Sequence, residues 1–351
     1  MNWRLKVLSV LILGLFAAFA LGYYKYFVAP KPSGVILFIV PGLNLDHLAR
    51  AGTPNLLTDS ARIAIINNTP LATPPFQINS NTIFSYLATG YKTHGDRLGL
   101  STDGRVQDNL LYLAQRAGRT VGIIGTGSIT AVELAAFYAH TKNPANPVDI
   151  LQQLFDNTKI NVILSGGADD FNQVRQHADR DLFHEADLYG YTIVRDHHEL
   201  QHLPVWRTRR LLGVFAPRHL PFHTEPPASR PSLADLTRHA IQCLQFTLNG
   251  YFLIIHDSLI ADAIHDHRPN QITAEIEQLN HALTEARDLV GDNSVILLYS
   301  PHNIPADNDT PADQHLGWLA IYADHDTPIK GFATGKDLFR YLRRQLDWKQ
   351  F

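Results

Sequence analysis

The residues Val35-Ile36-Leu37-Phe38-Ile39-Val40 form an unbroken run of β-branched and aromatic side chains that Pro41-Gly42 ends. A strand that reads this way has no polar face. It belongs in the middle of a sheet covered on both sides, the usual situation of parallel strands. Similar runs recur at Thr120 to Thr126, Ile160 to Leu164, Gly250 to Ile255 and Ser294 to Tyr299. Helical stretches intervene, among them Val106 to Ala117 and a capped one from Ser232 to about Phe246. This alternation predicts an α/β sandwich, with the chemistry gathered at the carboxyl ends of the strands.

Length and charge narrow the reading. The 351 residues can bury one large α/β core or two modest ones. A net charge of -3 gives no reason to expect nucleic acid as a partner. Cys243 is the sole cysteine, so neither an intrachain disulfide nor a Cys-rich zinc site is available. The 18 histidines include His197-His198, His256, His265-Asp266-His267, His302 and His315; only those near acids or other histidines in space can hold metal.

At the amino terminus, Val7 to Tyr24 is almost uninterruptedly apolar and is preceded by Arg4 and Lys6. It has the length of a bilayer span with basic residues on the cytoplasmic side, and is read as an uncleaved membrane anchor. A cleaved signal peptide is the rival, since Ala18-Phe19-Ala20 offers a small-x-small site. Either way the rest of the chain is exported to the periplasmic or extracellular side. Residues 1–28 are the anchor or signal, 29–34 a short stiff linker, and 35–351 one folded domain.

The stretch Gln77 to Thr93 holds a candidate nucleophile. Asn79 or Ser80 can cap a helix there, Ile83, Phe84, Tyr86, Leu87 and Ala88 follow at helical spacing, and Gly90 can end it. Ser80 then lies at a helix N-terminus, where free N–H groups and the dipole favour an oxyanion or phosphate. On spacing alone, Ser80 is more simply an ordinary N-cap, a very common role for serine.

Leu87-Ala88-Thr89-Gly90-Tyr91-Lys92-Thr93 resembles the end of the nucleophile helix of the alkaline phosphatase family, with Ser80 at the nucleophile's distance from Gly90. Further likenesses are Val35 to Val40, Ala135 to His140, Ile160 to Gly167, Leu211 to Pro221, Pro231 to Thr237 and His315-Leu316-Gly317. The resemblance implies a three-layer α/β sandwich with a mostly parallel central sheet. It also implies a site with two zinc ions and a magnesium, and there this chain departs. Pro41, Pro301, Ala261 and His256 stand where the family has carboxylate ligands, Asn79 replaces the aspartate before the nucleophile, and Ala131 and Glu133 fill the magnesium-side positions. Asp262 lies one residue from a ligand position, which rotates it by about 100° off that helix face. The phosphate-gripping arginine is missing, leaving Lys142 as a point charge. The family's histidines persist as His265, His302 and His315.

Neutral imidazoles cannot balance three cations, so the full two-zinc-plus-magnesium set is not expected. Two readings lead, ahead of a conventional phosphatase in a shifted alignment or a scaffold that needs no cleft. In the first the protein is a pseudoenzyme that keeps a phosphate or phosphoester ligand. In the second it is a hydrolase using Ser80 with one zinc on His265, His302 and His315, and with His256 and Glu133 as an outer pair.

Overall fold

The computed structural model describes residues 3–23, 33–52, 56, 61–69, 78–156, 159–225, 230–247, 249–291, 294–302, 315–322 and 327–347. Two compact units divide at 31/32. In the first, α1 (Trp3–Tyr23) is a helix whose described side chains, residues 3, 4 and 6–20, are exposed. Among the described residues no helix is long and apolar enough to cross a membrane, and the apolar run read from the sequence extends beyond those side chains.

The second unit is built on a sheet of ten strands, β1 (Gly34–Ile39), β2 (Ala61–Asn67), β3 (Thr120–Ser128), β4 (Val162–Gly166), β5 (Thr192–Val194), β6 (Leu211–Val214), β7 (Tyr251–His256), β8 (Val295–Ser300), β9 (Leu316–Tyr322) and β10 (Gly331–Thr334). Their order is β10-β2-β9-β8-β1-β7-β3-β4-β6-β5. From β8 through β5 every neighbouring pair is parallel; only β9 runs against its neighbours. β1, fully buried, is central because its side chains alternate between two apolar layers. Val35, Leu37 and Ile39 face one, while Ile36, Phe38 and Val40 face the other.

The first layer carries α3 (Ser80–Thr89), α4 (Leu110–Arg116), α5 (Val132–Ala135), α6 (Pro147–Asp156), α7 (Ala168–Ala178), α8 (Leu182–Leu188) and α13 (Gly335–Asp347). The second carries α2 (Leu45–Ala51), α9 (His197–Gln201), α10 (Leu233–Leu244), α11 (Leu259–His265) and α12 (Pro269–Leu289). The three-layer sandwich expected from the sequence is therefore the fold. One expected helix starts late: Val106 pairs with Leu100 as an antiparallel bridge, and Asn109 caps α4 by accepting from the Tyr112 N–H at 2.9 Å.

The domain also begins before Val35. Ser33 is buried, and the guanidinium of Arg119, only 4 % exposed, donates to its carbonyl and hydroxyl at 3.2 Å each. The same side chain donates to the carbonyls of Leu346 and Gln345 at 2.9 Å each. One buried cation thus ties the entry to β1 to the end of α13, satisfying last-turn carbonyls that the helix leaves without partners.

Candidate functional site

α3 is fixed from both ends. Asn79, not Ser80, is its cap: the Asn79 side chain accepts from the Thr82 N–H at 3.0 Å, and the Asn79 N–H donates to Thr82 Oγ1 at 3.0 Å, a reciprocal capping box. At the other end Gly90 has φ 76, and a Cβ there would meet the Phe339 ring at 2.6 Å. Glycine is required at that position both by backbone conformation and by the close packing of α13 on α3. The sequence left capping open between Asn79 and Ser80; with Asn79 in that role, Ser80 is the first helical residue. Its hydroxyl is half-buried and has no hydrogen-bond partner among the described residues. The Asn79 and Asn81 side-chain amides both donate to the Gly95 carbonyl, at 3.1 and 2.6 Å, so the loop after the helix is drawn under its start.

The carboxyl ends of β1, β8 and β7 deliver the other candidates. Pro41 and Pro301, both buried, end β1 and β8. The Gly42 N–H donates to the His302 carbonyl at 3.3 Å. Asn68, at the end of β2, donates from its amide side chain to the Pro301 carbonyl at 3.0 Å and from its backbone to the His315 carbonyl at 2.7 Å. The backbones of His302 and His315 are thereby brought to one edge of the sheet. The rings differ: His315 is exposed, while burial lowers the pKa of His302, whose Nδ1 has no hydrogen-bond partner among the described residues.

His256 ends β7 and is 2 % exposed, with neither ring nitrogen partnered among the described residues. Burial pushes its pKa down to about 4, so it is a neutral imidazole at any ordinary pH. It alternates with Ile255 along the strand, so it shares the α3 side of the sheet with Ile254. Glu133 is on α5, which packs against α3. Burial raises its pKa, and the charge of Asp262 raises it further. Asp262, set aside in the sequence as rotated off the ligand face, is itself raised by burial and feels the charges of His219, Asp266 and the exposed His265. The structure thus joins Glu133, Asp262, His265 and His219 in one electrostatic neighbourhood. The signal for Asp262 and His219 was absent from the sequence because it depends on how α11 and the 215–225 loop fold back onto the sheet edge. Even so, no group of three or more His, Cys, Asp or Glu side chains is placed to hold a metal ion among the described residues.

Behind β7, on the α12 side, a small polar cavity is lined by Thr126, His223, Arg230, Asp257 and Glu275. Asp257 accepts from Thr126 Oγ1 at 2.9 Å and the Leu259 N–H at 3.2 Å, yet burial holds its pKa up at about 6. Glu275 accepts from the His223 N–H at 2.5 Å, and burial pushes it up to about 7. Neither carboxylate was singled out in the sequence, where each reads as an ordinary helix or loop acid.

Comparison with known proteins gives this arrangement a context. Residues 79–305 match the family model described as alkaline phosphatase. Alkaline phosphatase 3 of Bacillus subtilis (strain 168) is 27% identical over 275 residues, covering 75% of this chain and 58% of that protein. Alkaline phosphatase 4 of the same organism is 28% identical with the same shares. The chain therefore spans little more than half the length of these two relatives. Among solved structures, the Thermus thermophilus alkaline phosphatase superposes with a TM-score of 0.77 at 17% identity, covering 92% of this chain and 94% of that one. The enzyme of the Antarctic bacterium TAB5 gives 0.74 at 19%, covering 92% and 99%.

Proposed function

Because the chain belongs to the alkaline phosphatase family, we propose that it binds a phosphate or phosphoester group at Ser80 without running two-zinc hydrolysis. The observation that carries this reading is the identity of the residues at the strand ends. Pro41 and Pro301 are buried there and offer no side-chain ligand atom, and His256 is a buried neutral ring. The residues present do not fit two zinc ions and a magnesium, whose charge needs carboxylates around it. What remains is an anion-binding helix start. The Ser80 hydroxyl and the Ser80 and Asn81 N–H groups have no partners among the described residues, and the helix dipole adds to their pull on an anion.

The test is calorimetry of the full chain with inorganic phosphate, beside turnover of p-nitrophenyl phosphate. Saturable binding that weakens about tenfold or more in Ser80→Ala is expected, the worth of one hydrogen bond to a charged group, with no product released. Turnover abolished both by Ser80→Ala and by chelator would replace this reading with the single-zinc hydrolase on His265, His302 and His315. Retention of zinc through desalting, lost when those three become alanine, would point the same way.

The N-terminal segment is proposed as the anchor of an exported domain, on the strength of the apolar run Val7 to Tyr24 and its flanking Arg4 and Lys6. Resistance to alkaline carbonate extraction, with release by detergent, is the expected behaviour. Release by carbonate would favour a cleaved signal.

A further inference from the structure

At the β10 end of the sheet, far in sequence from Ser80, lies a concave patch of about 220 Å³. Its floor is apolar: Ile329 and Tyr341 are each 4 % exposed. Its rim is cationic, since Lys330, Arg340 and Arg344 line it and are all exposed. One carboxylate, Asp337, also lines it, but Asp337 is engaged by the Thr334 hydroxyl at 2.7 Å and N–H at 3.0 Å and reaches Arg340 only at 3.6 Å. Lys330 and Arg344 have no ion-pair partner among the described residues. Phe332, 73 % exposed on the last strand of the sheet, also lines the patch; it alternates with Ala333, which packs with α13, and so projects from the other face of that edge strand. Its register partner is Ile65, and Ile63 on the same face of β2 is 49 % exposed.

An edge that carries an exposed phenylalanine and three cations against one carboxylate matches a surface that is anionic outside and apolar beneath. We propose that this basic edge docks the domain onto an anionic lipid surface, with Lys330, Arg340 and Arg344 against headgroup phosphates and Phe332 in the interfacial layer. The long basic side chains reach the headgroups while their stems extend the apolar floor. A second copy of this chain fits less well, because a two-fold contact would set the same three cations against each other. The assignment is independent of phosphate binding at Ser80.

The experiment uses the full chain in nanodiscs of phosphatidylcholine alone and of phosphatidylcholine with phosphatidylglycerol. Cys243, the sole native cysteine, is buried, so Phe332→Cys gives one accessible thiol for an environment-sensitive apolar fluorophore, whose ring stands in for the phenylalanine. An anchor at the N-terminus enters both kinds of disc alike, so the comparison isolates the response to lipid charge. The expected result is a rise in emission with a blue shift in the anionic discs only. It should fade with salt and need roughly a hundredfold more anionic lipid after Lys330→Gln, Arg340→Gln and Arg344→Gln together, about fivefold for each cation lost. Equal emission in the two disc types overturns the proposal. So does a change that follows protein concentration without any lipid, which would assign the edge to self-association. Should the triple variant fail to fold, the lipid-charge and salt dependence of the labelled parent decide alone.

Discussion

Restoring four carboxylates together, as Pro41→Asp, His256→Glu, Ala261→Asp and Pro301→Asp, is expected to make the chain retain about two zinc ions through desalting and to hydrolyse p-nitrophenyl phosphate, the parent showing neither. Hydrogen bonds to the backbone already fix the chain beside two of these positions. Asn68 holds the Pro301 and His315 carbonyls, and Gly42 holds that of His302, so the ends of β1 and β8 and the start of β9 meet at one edge. What the parent lacks there is negative charge. A metal that polarises the phosphoryl oxygen supplies several kcal/mol to the transition state, on the order of a thousandfold in rate. Metal analysis and a colorimetric assay check both halves. A folded variant that binds no zinc would show that these positions are not the ones facing the cleft.

Glu275→Gln is expected to stabilise the protein by about 3 kcal/mol at pH 8 and to leave it nearly unchanged at pH 4. The unfolded chain ionises this carboxyl near its ordinary value of about 4.5, whereas burial holds it protonated up to about 7 in the fold. Between those values the folded chain binds the extra proton, so stability falls as pH rises through the window; the gap is worth about 3 kcal/mol. Asp257, raised to about 6, acts in the same direction over a lower range. His256 acts oppositely: its folded pKa is depressed to about 4, so its contribution is lost as pH drops from about 6.5 towards 4. Glutamine keeps an acceptor for the His223 N–H and removes the charge. Denaturant melts at the two pH values measure the difference. A variant less stable at pH 8 would mean that the ionised carboxylate is favourably paired, with Arg230 the nearest candidate.

The central strands were legible because they are apolar on both faces: β1, β3, β7 and β8 lie where continuous runs predicted them. β2 and β10 were missed. At the sheet's end one face is open, so Ala61-Arg62-Ile63 and Gly331-Phe332 mix polar, small and exposed residues and carry no run to recognise. The same limit governs the site. Ser80 and the end of α3 could be read from local capping and glycine placement, which depend on neighbours in sequence. The charge of Asp262 felt at Glu133, and the cavity that joins Asp257 to Glu275, depend on segments far apart in the chain, and no local pattern encodes them. The identity of Asn79 as the cap was undecided between two residues that both cap well, and the reciprocal bond with Thr82 settles it.

Arg119 sets the order in which this domain can be completed. β1 pairs with β7 and β8, which lie far along the chain, and the buried guanidinium finds its acceptors at Gln345 and Leu346, which follow the last strand of the sheet in sequence. Until β7 and β8 are made the opening strand lacks its neighbours, and until α13 is made the cation has no carbonyls to enter the core with. Closure of the domain is therefore an event of high contact order that waits for α13.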